Sequence, residues 1–208
     1  MKNADQFVFQ TKTDQERAAE QLLQAARSAA IRFIGLGRKT SGRIEDHLQQ
    51  AGYEPDTIRQ VLQDLKNDQY IDDERIARRQ VRSRSGAKSE STVRLAQRLA
   101  QGGVDEEAVQ AALQDVPDDR TAAREALAAR FGRQLNQASN QQLDQQLDQN
   151  AIQQLDHRVD QQMAQRLEQR KISMKMQRFL ANRGFSAEIT RETIRDFWKG
   201  YFDNDDDN

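Results

Sequence analysis

Ile44-Glu45-Asp46-His47-Leu48-Gln49-Gln50-Ala51-Gly52-Tyr53 is the stretch on which the fold turns, because its skeleton returns twice. The second copy is Leu95-Ala96-Gln97-Arg98-Leu99-Ala100-Gln101-Gly102-Gly103-Val104, and the third is Met176-Gln177-Arg178-Phe179-Leu180-Ala181-Asn182-Arg183-Gly184-Phe185. In each, an apolar residue stands eight and four positions before a glycine, and an apolar or aromatic residue follows it. Downstream come Ile58, Val61 and Leu62, then Val109, Ala112 and Leu113, then Thr190 beside Ile189, with Thr193 and Ile194. This spacing is helical on both sides of a break, so each copy predicts helix, glycine C-cap, helix.

Working outward, Ser41, Asp105 and Ser186 precede apolar helical positions and are expected to cap first-turn amides, while Pro55 suits a first helical turn. A further helix is predicted before each hairpin, over 14–34 with a Thr13-x-x-Glu16 capping box, over 73–84 and over 119–131. No period-two run of β-branched residues reads as a strand, and the two prolines, Pro55 and Pro117, lie at helix edges. The expected fold class is all-α: three tandem three-helix repeats in an elongated or curved arrangement, with a Gln-rich helical insertion in the third. The expected boundaries are an N-terminal extension 1–13, repeat 1 over 14–71, repeat 2 over 72–117, repeat 3 over 118–202 and an acidic tail 203–208. The insertion, 133–171, follows from the glycine intervals, which are 51 residues from Gly52 to Gly103 but 81 from Gly103 to Gly184. Within it Leu135, Leu143, Leu147, Ile152, Leu155, Val159, Met163 and Leu167 recur at mostly helical spacing.

Only 36% of the 208 residues are hydrophobic and 31% are charged, which predicts shallow modules leaning on one another rather than one deep core. The chain has no cysteine, so thiolate metal sites and cysteine nucleophiles are excluded. His47 and His157 have no partners at ligand spacing, and no metal is expected. Asp72, Asp73 and Glu74 open a helix, where carboxylates serve amides and the positive end of the dipole. Gly35-Leu36-Gly37 lacks the strand and third glycine of a dinucleotide fingerprint and reads as a helix terminator. No catalytic residue and no cofactor are expected, and hence no enzyme. With neither a signal-peptide layout nor an apolar membrane span, a cytoplasmic protein without membrane contact is expected, and the lack of a dimerisation element leads to the expectation of a monomer.

The formal net charge is −1, yet between Arg75 and Arg98 eight basic residues face one acidic residue, Glu90. Arg75, Arg78, Arg79 and Arg82 fall at i, i+3, i+4 and i+7, on one helix face, with Ile76, Ala77 and Val81 turned inward. Like charges in adjacent turns repel by about a few tenths of a kcal/mol per pair, so folding alone does not explain them. Bidentate arginines suit phosphates or carboxylates. Arg84, Arg94 and Arg98 extend the candidate binding set. A second candidate surface is Arg178, Arg183 and Trp198.

The run Tyr70-Ile71-Asp72-Asp73-Glu74-Arg75-Ile76-Ala77, followed by Val81-Arg82-Ser83-Arg84, resembles the signature of the RecX family. Gly52-Tyr53, Gly103-Val104, the run from Arg178 to Phe185 and Asp196-Phe197-Trp198 are similar to further elements of that family, and the resemblance covers about 25–131 and 172–202. Ile76, Arg43 and Ser89-Glu90-Ser91-Thr92 depart from its usual pattern. The resemblance implies a regulatory protein that binds the RecA recombinase filament, meeting single-stranded DNA through that filament. It implies modulation, with inhibition as the expected direction, of ATPase, strand-exchange and co-protease activities in recombination, repair and the SOS response. The alternatives are a stand-alone helical nucleic-acid-binding module and a helical-repeat scaffold for another protein.

Overall fold

The computed structural model describes the backbone of residues 4–146 and 154–202, and the side chains of 14–133, 163–164 and 166–200. Among the described residues there are nine α-helices and no strand: α1 (Ala4–Ile34), α2 (Ser41–Gln50), α3 (Pro55–Asn67), α4 (Asp73–Arg82), α5 (Thr92–Gln101), α6 (Glu106–Leu113), α7 (Asp119–Gln146), α8 (Gln154–Ala181) and α9 (Ala187–Phe202). A short 3-10 turn, Gly86–Lys88, lies between α4 and α5.

The three predicted hairpins are α2–α3, α5–α6 and α8–α9. Their glycines Gly52, Gly103 and Gly184 have φ of +84°, +76° and +82°, the left-handed conformation that a Cβ disfavours. The following amides close the helix ends in the same way each time: Tyr53 to Leu48 O at 3.2 Å, Val104 to Leu99 O at 3.1 Å, and Phe185 to Leu180 O at 3.3 Å. The anchor pairs Ile44 and Leu48, Leu95 and Leu99, and Met176 and Leu180 are all buried. Each such side chain contributes about 1.5–3 kcal/mol by leaving water, which is what holds a hairpin against its neighbours.

Several local expectations are corrected. α1 begins at Ala4 rather than near residue 14, so Thr13 lies inside the helix rather than ahead of it, and residues 4–13, set apart as part of an extension, belong to α1. α4 stops at Arg82 and α7 runs past Phe131 to Gln146. Asp105 and Ser186 cap as expected, accepting from Ala108 N at 2.8 Å and Ile189 N at 3.2 Å. Ser41 does not: its amide and hydroxyl both donate, to Asp73, at 2.9 and 2.5 Å. In the glutamine-rich stretch the side chains of Leu135, Leu143, Leu147, Ile152, Leu155, Val159 and His157 lie outside the described residues, whereas Met163 and Leu167 are exposed.

The chain packs as two compact units, the first formed by 1–80 with 98–114 and the second by 81–97 with 115–208, so the residues expected as repeat 2 are shared between them. In the first unit α1, α2 and α3 enclose Ala26, Ala30, Ile44, Leu48, Ile58 and Leu65. The start of α2 sits against the α5–α6 turn, with Gly42 N donating to Gly103 O at 2.8 Å and Thr40 Oγ1 to Gly102 O at 2.7 Å. In the second unit α7, α8 and α9 enclose Ala123, Leu127, Met176, Leu180 and Phe185, with Phe131 edge-on to Phe179 at 5.4 Å.

One joint is built twice. Asp73, the first residue of α4, accepts from the first-turn amide of α2; Asp119, the first residue of α7, accepts from Thr92 N, the first-turn amide of α5, at 2.7 Å. Each of these aspartates therefore satisfies an orphan donor on the hairpin before it instead of on its own helix. The backbone repeats this: Ser91 N, leading into α5, donates to Arg183 O in the α8–α9 turn at 3.0 Å, as Gly42 N does to Gly103 O.

Candidate functional site

The stripe on α4 is positioned by two neighbouring aspartates with opposite duties. Asp72 caps its own helix, accepting from Arg75 N at 2.9 Å. Asp73 turns inward, 4% exposed, and its carboxylate takes Ser41 N, Ser41 Oγ and, at 2.9 Å, Asp105 N. With Asp73 and fully buried Ala77 holding the inner face, helical geometry leaves Arg75, Arg78, Arg79 and Arg82 on the outer one, and all four are exposed.

Their electrostatic states differ. Arg78 pairs with Glu74 one turn earlier at 2.6 Å, an exposed contact of the kind that contributes about 0.3–0.5 kcal/mol and is easily exchanged. Arg75, Arg79 and Arg82 have no ion-pair partner among the described residues. The acidic cluster that precedes them does not neutralise them: Asp73 is buried among amides, and Asp72 lies 3.8 Å from Arg38.

The remaining predicted arginines are placed differently. Arg84 lies outside α4 and faces the buried Glu90 carboxylate at 3.7 Å, an ion pair internal to the second unit. Arg94 is exposed, yet its stem lies so close to the α8–α9 turn that a Cβ on Gly184 would come within 2.9 Å of its own Cβ. Arg98 is half-buried. Arg75, Arg78, Arg79 and Arg98 belong to the first unit and Arg82, Arg84 and Arg94 to the second. The structure thus brings four of the seven onto one helix.

The second candidate surface is divided as well. Arg183 is an internal clamp: its Nε and Nη2 donate to Ala87 O at 3.2 and 2.7 Å, and its guanidinium lies 3.7 Å over the Phe179 ring. Burial lowers its pKa from the ordinary guanidinium value, Glu90 opposes that shift and Arg130 adds to it. Arg178 is exposed and Trp198 half-buried. His47 stacks on Phe33 at 4.1 Å, a packing role. Among the described residues no group of three metal-ligating side chains assembles, and no helix is long and apolar enough to cross a membrane.

Residues 72–113, which carry this stripe, match the family model described as RecX, second three-helix domain. The chain is 33% identical over 110 residues to the regulatory protein RecX of Halorhodospira halophila, a match covering 52% of this chain and 68% of that protein. It is 27% identical over 95 residues to the regulatory protein RecX of Oceanobacillus iheyensis, where the match covers 46% of this chain and 35% of the relative. The crystal structure of RecX from Lactobacillus salivarius shares the fold with a TM-score of 0.54 at 16% identity, covering 85% of this chain and 97% of that one.

Proposed function

Because the chain belongs to the RecX family of regulatory proteins, we propose that it binds the RecA nucleoprotein filament and restrains its ATPase, strand-exchange and co-protease activities without catalysing a reaction itself. The observation that carries this reading is the exposed face of α4, where Arg75, Arg79 and Arg82 stand without carboxylate partners among the described residues, inside the stretch that matches the family model. Unneutralised guanidiniums one turn apart suit a row of phosphates or acidic side chains, and a RecA filament on single-stranded DNA offers both. On this reading the protein acts in the cytoplasm, as one helical-repeat chain per site.

The test is the ATPase of the cognate RecA on single-stranded DNA, with this protein and with its Arg75→Ala/Arg79→Ala/Arg82→Ala variant. Exposed substitutions of this kind change folding stability by about 0.5 kcal/mol or less each, so melting should hardly move. If the three arginines meet phosphates, filament binding weakens at every sequence alike and the salt slope falls by about two units, from the ~0.7 per contact of single strands. Full modulation by the variant with an unchanged slope refutes the assignment. Equal affinity for naked and RecA-coated DNA favours a stand-alone nucleic-acid module instead.

A further inference from the structure

Helix α8 has a second side that its own core does not use. At about 100° per residue, Met176 and Leu180 point into the second unit, while Met163, Leu167 and Met174 share an outer stripe and are 63%, 57% and 52% exposed. Arg195, Trp198 and Lys199 of α9 form the facing wall, enclosing a groove of about 1220 Å3. Trp198 is held in that wall by its Nε1, which donates to Ser173 Oγ of α8 at 2.9 Å. Large apolar side chains aligned in water, rather than scattered singly, mark a contact surface.

The rim of the groove has one sign. Arg166 and Arg170 on α8 and Arg195 and Lys199 on α9 line it, with no acidic residue among the lining. Arg195 lies 3.4 Å from Asp196, but Arg166, Arg170 and Lys199 have no ion-pair partner among the described residues. Glu168 is not among the lining residues and lies beside Lys171 at 3.4 Å.

We propose that the α8–α9 groove docks an acidic amphipathic helix of a protein partner, its aliphatic face on Met163, Leu167, Met174 and Trp198 and its carboxylates toward the four cations. From Met163 to Met174 the stripe runs about 16 Å at ~1.5 Å per residue, the length of three helical turns. Helix-in-groove recognition uses anchors at this spacing, and methionine floors adapt to different aliphatic partners. Single-stranded nucleic acid would meet the same cations but binds by stacking bases on successive aromatic faces. Here one aromatic is present, half-buried and tied by its N–H, against three aliphatic side chains. The groove shares no residue with the α4 stripe, and this inference does not rest on the RecA reading.

Trp198 is the single tryptophan of the chain, so its emission reports on this groove alone. The full chain is titrated with a Leu/Glu peptide of about 14 residues, its leucines at i, i+4, i+7 and i+11 spacing. Controls are a scrambled sequence of the same composition and an oligo-dT of similar length. A saturable shift of the emission with the patterned peptide is expected, weakening as salt rises and reduced about tenfold or more by Met163→Glu/Leu167→Glu, two exposed changes that leave helicity intact. The proposal is overturned by no response, by equal binding of the scrambled peptide, or by tighter binding of oligo-dT. It is also overturned if sedimentation shows a dimer that the double variant abolishes, which makes a second copy the occupant. Binding that appears only after removal of residues 203–208 would make the chain's own acidic tail the occupant.

Discussion

Replacing Asp73 by alanine removes a carboxylate that is 4% exposed and accepts from Ser41 N at 2.9 Å, Ser41 Oγ at 2.5 Å and Asp105 N at 2.9 Å. Two of these donors are backbone amides at the starts of α2 and α6, and the substitution leaves both without this acceptor. Hydrogen bonds to a charged acceptor contribute about 1.5–3 kcal/mol each, and an amide left buried and unpaired costs about 1–3 kcal/mol. Allowing for partial relaxation, Asp73→Ala should destabilise the first unit by about 3–5 kcal/mol, a large share of the ~5–15 kcal/mol typical of a folded domain. Asp73→Asn keeps one carbonyl acceptor and should cost roughly half as much. Asp72→Ala removes an exposed cap on the adjacent residue and should cost about 1 kcal/mol. Urea unfolding of the three variants, with amide exchange read at Ser41 and Asp105, measures the ranking within one unit even if the two units unfold separately. An Asp73→Ala variant no less stable than Asp72→Ala would refute the reasoning, since the two aspartates would then differ in nothing but exposure.

The hairpin glycines provide a second comparison. Gly52 and Gly103 have similar positive φ, but a Cβ on Gly52 meets nothing within 4 Å, whereas one on Gly103 would lie 2.9 Å from Thr40 Oγ1 and 3.0 Å from Arg43 N. Gly52→Ala should therefore cost only the ~1–2 kcal/mol of the left-handed conformation, and Gly103→Ala clearly more, by thermal or chemical melting. Asp119→Ala should repeat the Asp73 effect on a smaller scale in the second unit, about 1–2 kcal/mol, because among the described residues Thr92 N alone is bonded to it. At Asp105 burial pushes the carboxyl pKa up, but the Lys66 ammonium at 2.5 Å and the Ala108 amide outweigh it and hold it below the usual carboxylate value. A depressed folded pKa adds stability above the unfolded value and loses it as pH falls through the folded one. The stability difference between the parent and Asp105→Asn should be flat at neutral pH and shrink below about pH 4.

How far the sequence carried the reading differs by element. The hairpin pattern was legible because helical periodicity, glycine C-caps and Asp105 or Ser186 before an apolar run are local properties, decided within about one turn of each residue. The same periodicity gave the buried positions −8, −4, +6 and +9 from each glycine and the grouping of Arg75, Arg78, Arg79 and Arg82 on one face; at +10, expected on the same side, Ile194 is buried but Leu62 and Leu113 are half-buried. The start of α1 was not legible, since Thr13 and Glu16 make a capping box only if the chain before them leaves the helix, and it does not. Tertiary structure alone decided which neighbour each charged group meets. Asp72 and Asp73 are adjacent and chemically identical, yet one caps its own helix and the other is buried 32 positions away on Ser41. Arg178 and Arg183 are five positions apart, yet only Arg183 is folded onto Ala87 O and the Phe179 ring. Periodicity assigns a side chain to a face of its helix; what stands opposite that face is set by chain segments tens of residues distant, through contacts that leave no local trace.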